Sequence, residues 1–119
     1  MKIVVGGSRF QKSASFVFQA LDAIHARQPI TRLAHGACEG TDLLAQEWAL
    51  SRGIENSPYP ADWKKWGRSA GPKRNSEMLA TERPDVVIAF PGGKGTADLT
   101  RRAESRGIPV MKVARYKVE

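Results

Sequence analysis

The chain has a single cysteine, Cys38, in 119 residues, so no internal disulfide can form. It has two histidines, and no His/Cys group falls at zinc-ligand spacing, so no metal site is expected. A lone thiol fits the reducing cytoplasm as the expected compartment. Long apolar runs are also missing. Nothing approaches the roughly 20 residues that cross a bilayer, and the apolar stretch of MKIVVGGSRF is too short for a signal peptide. The expectation is a soluble chain with no membrane partner. Neither G-x-G-x-x-G nor G-x-x-x-x-G-K-[ST] occurs, which disfavours a nicotinamide dehydrogenase and a P-loop ATPase; no cofactor is expected. Aromatic residues are 8% of the chain, which weakens the case for a binder that stacks nucleic-acid bases. No repeat, linker or low-complexity segment is visible.

What is present is an ordinary globular balance, 41% hydrophobic and 26% charged, of a length that suits one domain over residues 1–119. Net charge is +7, with basic residues crowding after Thr100 (Arg101, Arg102, Arg106, Lys112, Arg115, Lys117). That charge fits a polyanion, a small phosphorylated ligand or a solvated basic surface, and leaves the three open.

Short apolar runs alternate with helical periodicity. Lys2 to Val5 reads as a buried strand ended by Gly6-Gly7. Val17, Ala20, Leu21 and Ile24 give Ser13 to Arg27 one apolar face, with Ser13 as N-cap. Thr31 to His35 is a second strand, and Thr41 to Arg52 a helix burying Leu44, Ala45, Trp48 and Ala49 before Gly53. Ile54 to Tyr59 is a weak strand interrupted by Asn56 and Pro58. Pro60 to Gly71 reads as a polar loop with room for one helical turn, and Pro72, at a first helical position, opens a helix to about Thr81. Asp85 to Phe90 (DVVIAF) is the clearest strand, of the kind covered on both faces. A helix from Thr96 to Arg106, a strand from Ile108 to Val113 and a polar tail from Ala114 to Glu119 complete the chain. Strands separated by helices imply right-handed βαβ units. The expected fold is α/β: a three-layer Rossmann-like sandwich on a parallel sheet of about five strands, order 3-2-1-4-5.

Open parallel sheets bind ligands beyond the carboxyl ends of their strands, where strand order reverses. Three glycine loops fall on that edge: Gly6-Gly7-Ser8-Arg9, then His35-Gly36 through Gly40-Thr41-Asp42, then Pro91-Gly92-Gly93-Lys94-Gly95-Thr96. The last has the clearest mechanism. Glycines admit an anion close to the backbone, Thr96 would cap the next helix, that helix's free N–H groups would hold a phosphate, and Lys94 adds charge. The bland alternative is a tight turn without a ligand. In GRSAGPKRN, Arg68 and Arg74 suit phosphate or carboxylate, and Asn75 suits a base or ribose; the alternative is a solvated helix start. Asp42 and Asp98 are the acids best placed for chemistry, and helix capping explains Asp42 at least as well. Trp63, next to Asp62 in YPADW, stacks on a base or covers the core edge; Trp66 is assigned to the core edge and Trp48 to the core. His35 is assigned a structural hydrogen bond ahead of catalysis, and Cys38 is read as an unreactive thiol.

In order, GGSR, HGACEGTD, YPADW, GRSAGPKRN and FPGGKGTADL resemble the SLOG superfamily, in its YspA/YpsA-related subgroup, from about Lys2 to Val113. That resemblance implies a Rossmann-like fold, a nucleotide or nucleotide-derived ligand, and a homodimer. The superfamily includes the Lonely Guy phosphoribohydrolases, which cleave the N-glycosidic bond of nucleoside monophosphates, and DprA, which binds single-stranded DNA. The phosphoribohydrolases carry R-K-x-x-M and PGG-x-GT followed by two acids. Here Arg74, Asn75 and Met78 form R-N-x-x-M, Asp98 holds the first acidic position and Leu99 stands at the second. Arg74 and Asp98 are thus the carried-over catalytic pair. The other ligand-contact candidates are the loop residues above with Asp62, Trp63, Arg68 and Asn75. Nucleotide hydrolysis, a non-catalytic sensor or sponge for an NAD-derived or cyclic nucleotide, and, last, single-stranded nucleic-acid binding are the readings carried forward.

Overall fold

The computed structural model describes residues 1–114. Five strands, β1 (Lys2–Gly6), β2 (Arg32–His35), β3 (Glu55–Pro58), β4 (Val86–Ala89) and β5 (Val110–Lys112), form one sheet in the order β3-β2-β1-β4-β5. Every pairing is parallel, with Val4 opposite Ala34 on one side and Val87 on the other. This is the predicted topology. Residues Asn56 and Pro58 do not prevent β3, because an edge strand tolerates a missing N–H.

Helices cover both faces. Alternation along the strands sends Ile3, Val5 and Leu33 to one side, against Val17 and Leu21 of α1 (Ala14–Arg27) and Ala45, Trp48 and Ala49 of α2 (Thr41–Ser51). Val4, Ala34 and Val87 face the other side, against Met78 and Leu79 of α4 (Ala70–Glu82) and Leu99 and Ala103 of α5 (Lys94–Ser105). The Ser13 hydroxyl accepts the Phe16 N–H at 3.2 Å, the cap expected of α1. Trp48 is fully buried, and its indole N–H donates to Asp22 at 2.8 Å.

The structure corrects three local expectations. The one helical turn allowed for after Pro60 is α3 (Trp63–Trp66), but it runs through a 3-10 turn (Gly67–Ser69) directly into α4, which therefore begins at Ala70 and not at Pro72. Asp62 caps α3 by accepting the Lys65 N–H at 3.1 Å. α3 buries no residue, so no apolar period marked it. Trp66 is exposed, its ring faced by the ammonium groups of Lys65 and Lys73 and not by the core. α5 begins at Lys94 with Gly93 as its N-cap, three residues before the expected Thr96 cap. The Thr96 hydroxyl lies instead where a side chain on Gly92 would be. Of the polar tail, Ala114 alone is described; Arg115 and Lys117 lie outside the described residues.

One buried charge network ties α4 to the sheet. Glu82, at the end of α4, takes Arg32 Nε at 2.7 Å and the Tyr59 hydroxyl, while Arg32 also pairs with Glu55. The Arg32 bond, the largest influence, holds the Glu82 carboxyl below its ordinary pKa. A depressed acid contributes stability above its unfolded pKa and loses it as pH falls through its folded value. Glu82→Gln should therefore cost roughly 2–3 kcal/mol at pH 7, measured by urea unfolding. The gap from wild type should close in acid.

Candidate functional site

The carboxyl ends of β1, β2 and β4 meet at Ser8. Its N–H donates to the Pro91 carbonyl at 2.9 Å, and its own carbonyl accepts the Thr41 N–H at 3.0 Å and the Thr41 hydroxyl at 2.9 Å. All three glycine loops are thereby tied together. The packing requires glycine: a Cβ on Gly7 would stand 2.6 Å from Thr41 Oγ1 and 2.8 Å from Phe90 Cβ. Gly40 has φ +78°, and a side chain there would meet the Ser8 carbonyl at 2.5 Å.

Beside this junction, on the α4–α5 face, opens a cleft of about 590 Å³. Its wall is built from the Gly6–Arg9 loop, Gly36, Asp42, Trp63, Arg68, Arg74, Asn75, the Gly93–Thr96 turn and Asp98. The start of α5 faces it: Gly93 offers no side-chain cap, and the first-turn amides of Lys94, Gly95 and Thr96 have no intrahelical acceptor. Arg9, Arg68, Arg74 and Lys94 bring positive charge to the same cavity. Trp63 and Phe10, both well exposed, contribute flat apolar surface.

Not every candidate reaches the cleft. His35 is fully buried and does not line it; its Nδ1 accepts the Ala37 N–H at 3.0 Å, and burial holds its pKa below the ordinary value. The bond steadies Ala37 in a left-handed conformation, φ 58°. Thr41 and Gly40 serve the Ser8 junction, and Asp62 caps α3. Pro91 and Gly92 line a neighbouring hollow with Ser13 and Phe16. Phe10, Cys38, Pro72, Met78 and Leu99 line the cleft without having been singled out as contacts. For Phe10 a signal existed: an aromatic residue directly after a glycine loop.

Arg74 is a fixed cation. Its Nη1 donates to the Gly36 carbonyl at 2.5 Å and the Tyr59 carbonyl at 3.3 Å, and its Nε to Asn75 Oδ1 at 2.9 Å. Among the described residues Nη2 has no acceptor, which leaves it for the cleft. The two cleft carboxylates differ. Asp98 takes Asn75 Nδ2 at 3.0 Å, Arg101 at 2.8 Å and Arg102 at 2.8 Å. Burial opposes its ionisation, but the Arg102 and Asn75 bonds and both arginine charges outweigh burial and hold its pKa below the ordinary carboxylate value. Asp42 Oδ2 accepts the Gly36 and Cys38 amides at 3.1 and 3.3 Å, while Oδ1 has no partner among the described residues. Burial pushes Asp42 up to about 6 despite those amides and the Arg74 charge.

The motifs around this cleft carry a family signature. A model of the YspA, cpYpsA-related SLOG family, YAcAr, matches residues 1–66. The gene 61 protein of Mycobacterium phage D29 is 36% identical over 118 residues, covering 92% of this chain and 94% of that protein. The chain belongs to the YAcAr family. In this YAcAr protein the matched part holds β1 through α3, hence Ser8, Thr41 and Asp42; Arg74, Pro91, the Gly93–Thr96 turn and Asp98 follow it. The Rossmann-like fold also appears in the UDP-GlcNAc 2-epimerase of Neisseria meningitidis, solved bound to UDP-GlcNAc. There the TM-score is 0.62 at 16% identity, over 95% of this chain and 32% of the epimerase. The chain thus spans about a third of that enzyme. No described helix is long and apolar enough to cross a membrane.

Asp42 makes a stability prediction. Its folded pKa is raised, so the native state is favoured while the group is protonated, and that contribution is lost as pH rises from about 4 to about 6. Asp42→Asn should unfold at higher temperature than wild type at pH 7, by an advantage of at most about 3 kcal/mol. Melting curves from pH 3.5 to 7.5 should show the two proteins converging in acid.

Proposed function

We propose that this YAcAr protein binds a nucleotide, with a phosphate on the first turn of α5 and the base against Trp63. The observation that carries the reading is the uncapped start of α5 opening onto a cleft that also holds Arg9, Arg68, Arg74 and Lys94. Helix N-terminal amides and guanidinium groups suit a phosphate dianion. The indole face of Trp63 suits a flat heterocycle. Family membership and a fold shared with a nucleotide-sugar epimerase support this reading.

The finer proposal is hydrolysis of the N-glycosidic bond in a nucleoside monophosphate. Arg74 Nη2 would hold the phosphate or the leaving base. Asp98, kept ionised by its arginines, would stabilise the positive charge that develops on the ribose. The competing reading is a sensor or sponge that retains its ligand intact. The engagement of both Asp98 oxygens favours it, since neither is left to activate water.

Thermal shift with AMP, GMP, CMP and UMP tests binding. A monophosphate at a hundred times its Kd should add about 2.7 kcal/mol. Arg68→Ala should weaken it roughly tenfold, the value of one charge-assisted contact. A panel in which no nucleotide raises the melting temperature contradicts the proposal. Chromatography of a bound nucleotide after long incubation separates turnover, seen as free base, from intact retention.

A further inference from the structure

The cleft holds a second acid in a state opposite to that of Asp98. Asp42 sits in the first turn of α2, is 6% exposed, and lines the same cavity as Arg74. Its Oδ2 is fixed by the Gly36 and Cys38 amides, which sets the plane of the carboxyl group and leaves Oδ1 unpartnered among the described residues. The groups packed around it are Gly36 and Cys38 from the β2 loop and the Arg74 guanidinium from α4 across Gly36. A side chain on Gly36 would collide with Arg74 and come within 3.0 Å of Asp42 Oδ2, so this glycine is what lets the acid and the cation approach one backbone position from two sides.

We propose that Asp42 is the proton-transfer residue of the cleft, acting on the water that attacks C1′ of a bound nucleoside monophosphate while Asp98 remains an ionised stabiliser. This rests on the hydrolytic reading above. In the step, a water oxygen bonds to C1′, the C1′–N bond breaks and its electron pair leaves with the base. The proton lost by the water passes to Asp42 Oδ1 and on to solvent, and the departing base nitrogen, on the opposite face of C1′, takes its proton from solvent. Ribose 5-phosphate and neutral base result, and Asp42 returns to its carboxylate. Two carboxylates whose surroundings push their proton affinities apart are suited to divided labour of this kind. Burial makes this carboxylate a stronger base than a free one, and a group titrating at about 6 is still mostly ionised at pH 7, ready to accept a proton.

The test is base release from AMP, GMP, CMP and UMP by the intact chain, as wild type, Asp42→Asn and Asp42→Glu, with each Kd measured separately. Asp42→Asn should lower kcat at least a hundredfold while Kd moves less than threefold, and its rate should lose the acid limb that wild type shows near pH 6. Asp42→Glu should recover part of the rate. The melting temperature of each variant is measured alongside its rate, so that inactivity from unfolding is told apart from loss of the proton-transfer group. An Asp42→Asn enzyme with near wild-type kcat, or with its acid limb intact, overturns the proposal and leaves hydrolysis standing. Wild type that binds but releases no base overturns both this role and the hydrolytic reading, and leaves binding standing.

Discussion

Ser8 is where the site is held together. Its two backbone groups accept and donate across the ends of three strands, to Thr41 after β2 and Pro91 after β4. Such a junction forms only if the loops come into backbone contact, which is why Gly7, Gly40 and Gly92 have no space for a Cβ. The close approach also brings the first turns of α2 and α5 to the same cleft. Asp42 and the free amides of α5 are thus placed by one packing constraint, and that constraint follows from a parallel sheet whose order reverses between β1 and β4.

Within the cleft, chemical difference comes from partners and not from residue type. Asp98 has three donors and two cations, so its charge is satisfied. Asp42 has two amides and burial, and burial outweighs the amides, so its charge is disfavoured. A buried acid whose charge is disfavoured, lining a cleft beside a cation, is a candidate for chemistry as well as for loop capping. Glu82 shows the contrast: equally buried, but bound by Arg32 and Tyr59 in a network that ties α4 to the sheet.

Much of this was legible in the residues. DVVIAF suited a central strand and KIVV a buried one, and the alternation of strands with helices implied a parallel sheet, for which the order 3-2-1-4-5 was expected and is found. The glycine loops marked the binding edge, because tight loops at strand ends need residues without Cβ. Less visible were elements with no buried face. The bounds of α3 and its continuity with α4 were not legible, since nothing in α3 packs inward. The α5 start was misplaced because Thr96 looked like a cap while its hydroxyl lies against Gly92. His35, at the end of a strand beside glycine, points into the core because strand alternation sends it to the α1–α2 side, like Leu33. The pairing of Asp98 was readable: Arg101 and Arg102 stand three and four residues on, the spacing at which helical side chains meet. The contrast with Asp42 was not, since burial and the partners Gly36 and Cys38 come from the folding of a loop.

The most direct measurement of the central claim is a ¹H–¹⁵N titration of the protein with AMP at low salt. If the start of α5 is the phosphate seat, the amides of Lys94, Gly95 and Thr96 should move first and furthest, with Ser8 and Arg9 following, and inorganic phosphate should displace the same resonances more weakly. Shifts confined to another face, or none at millimolar AMP, would contradict the account.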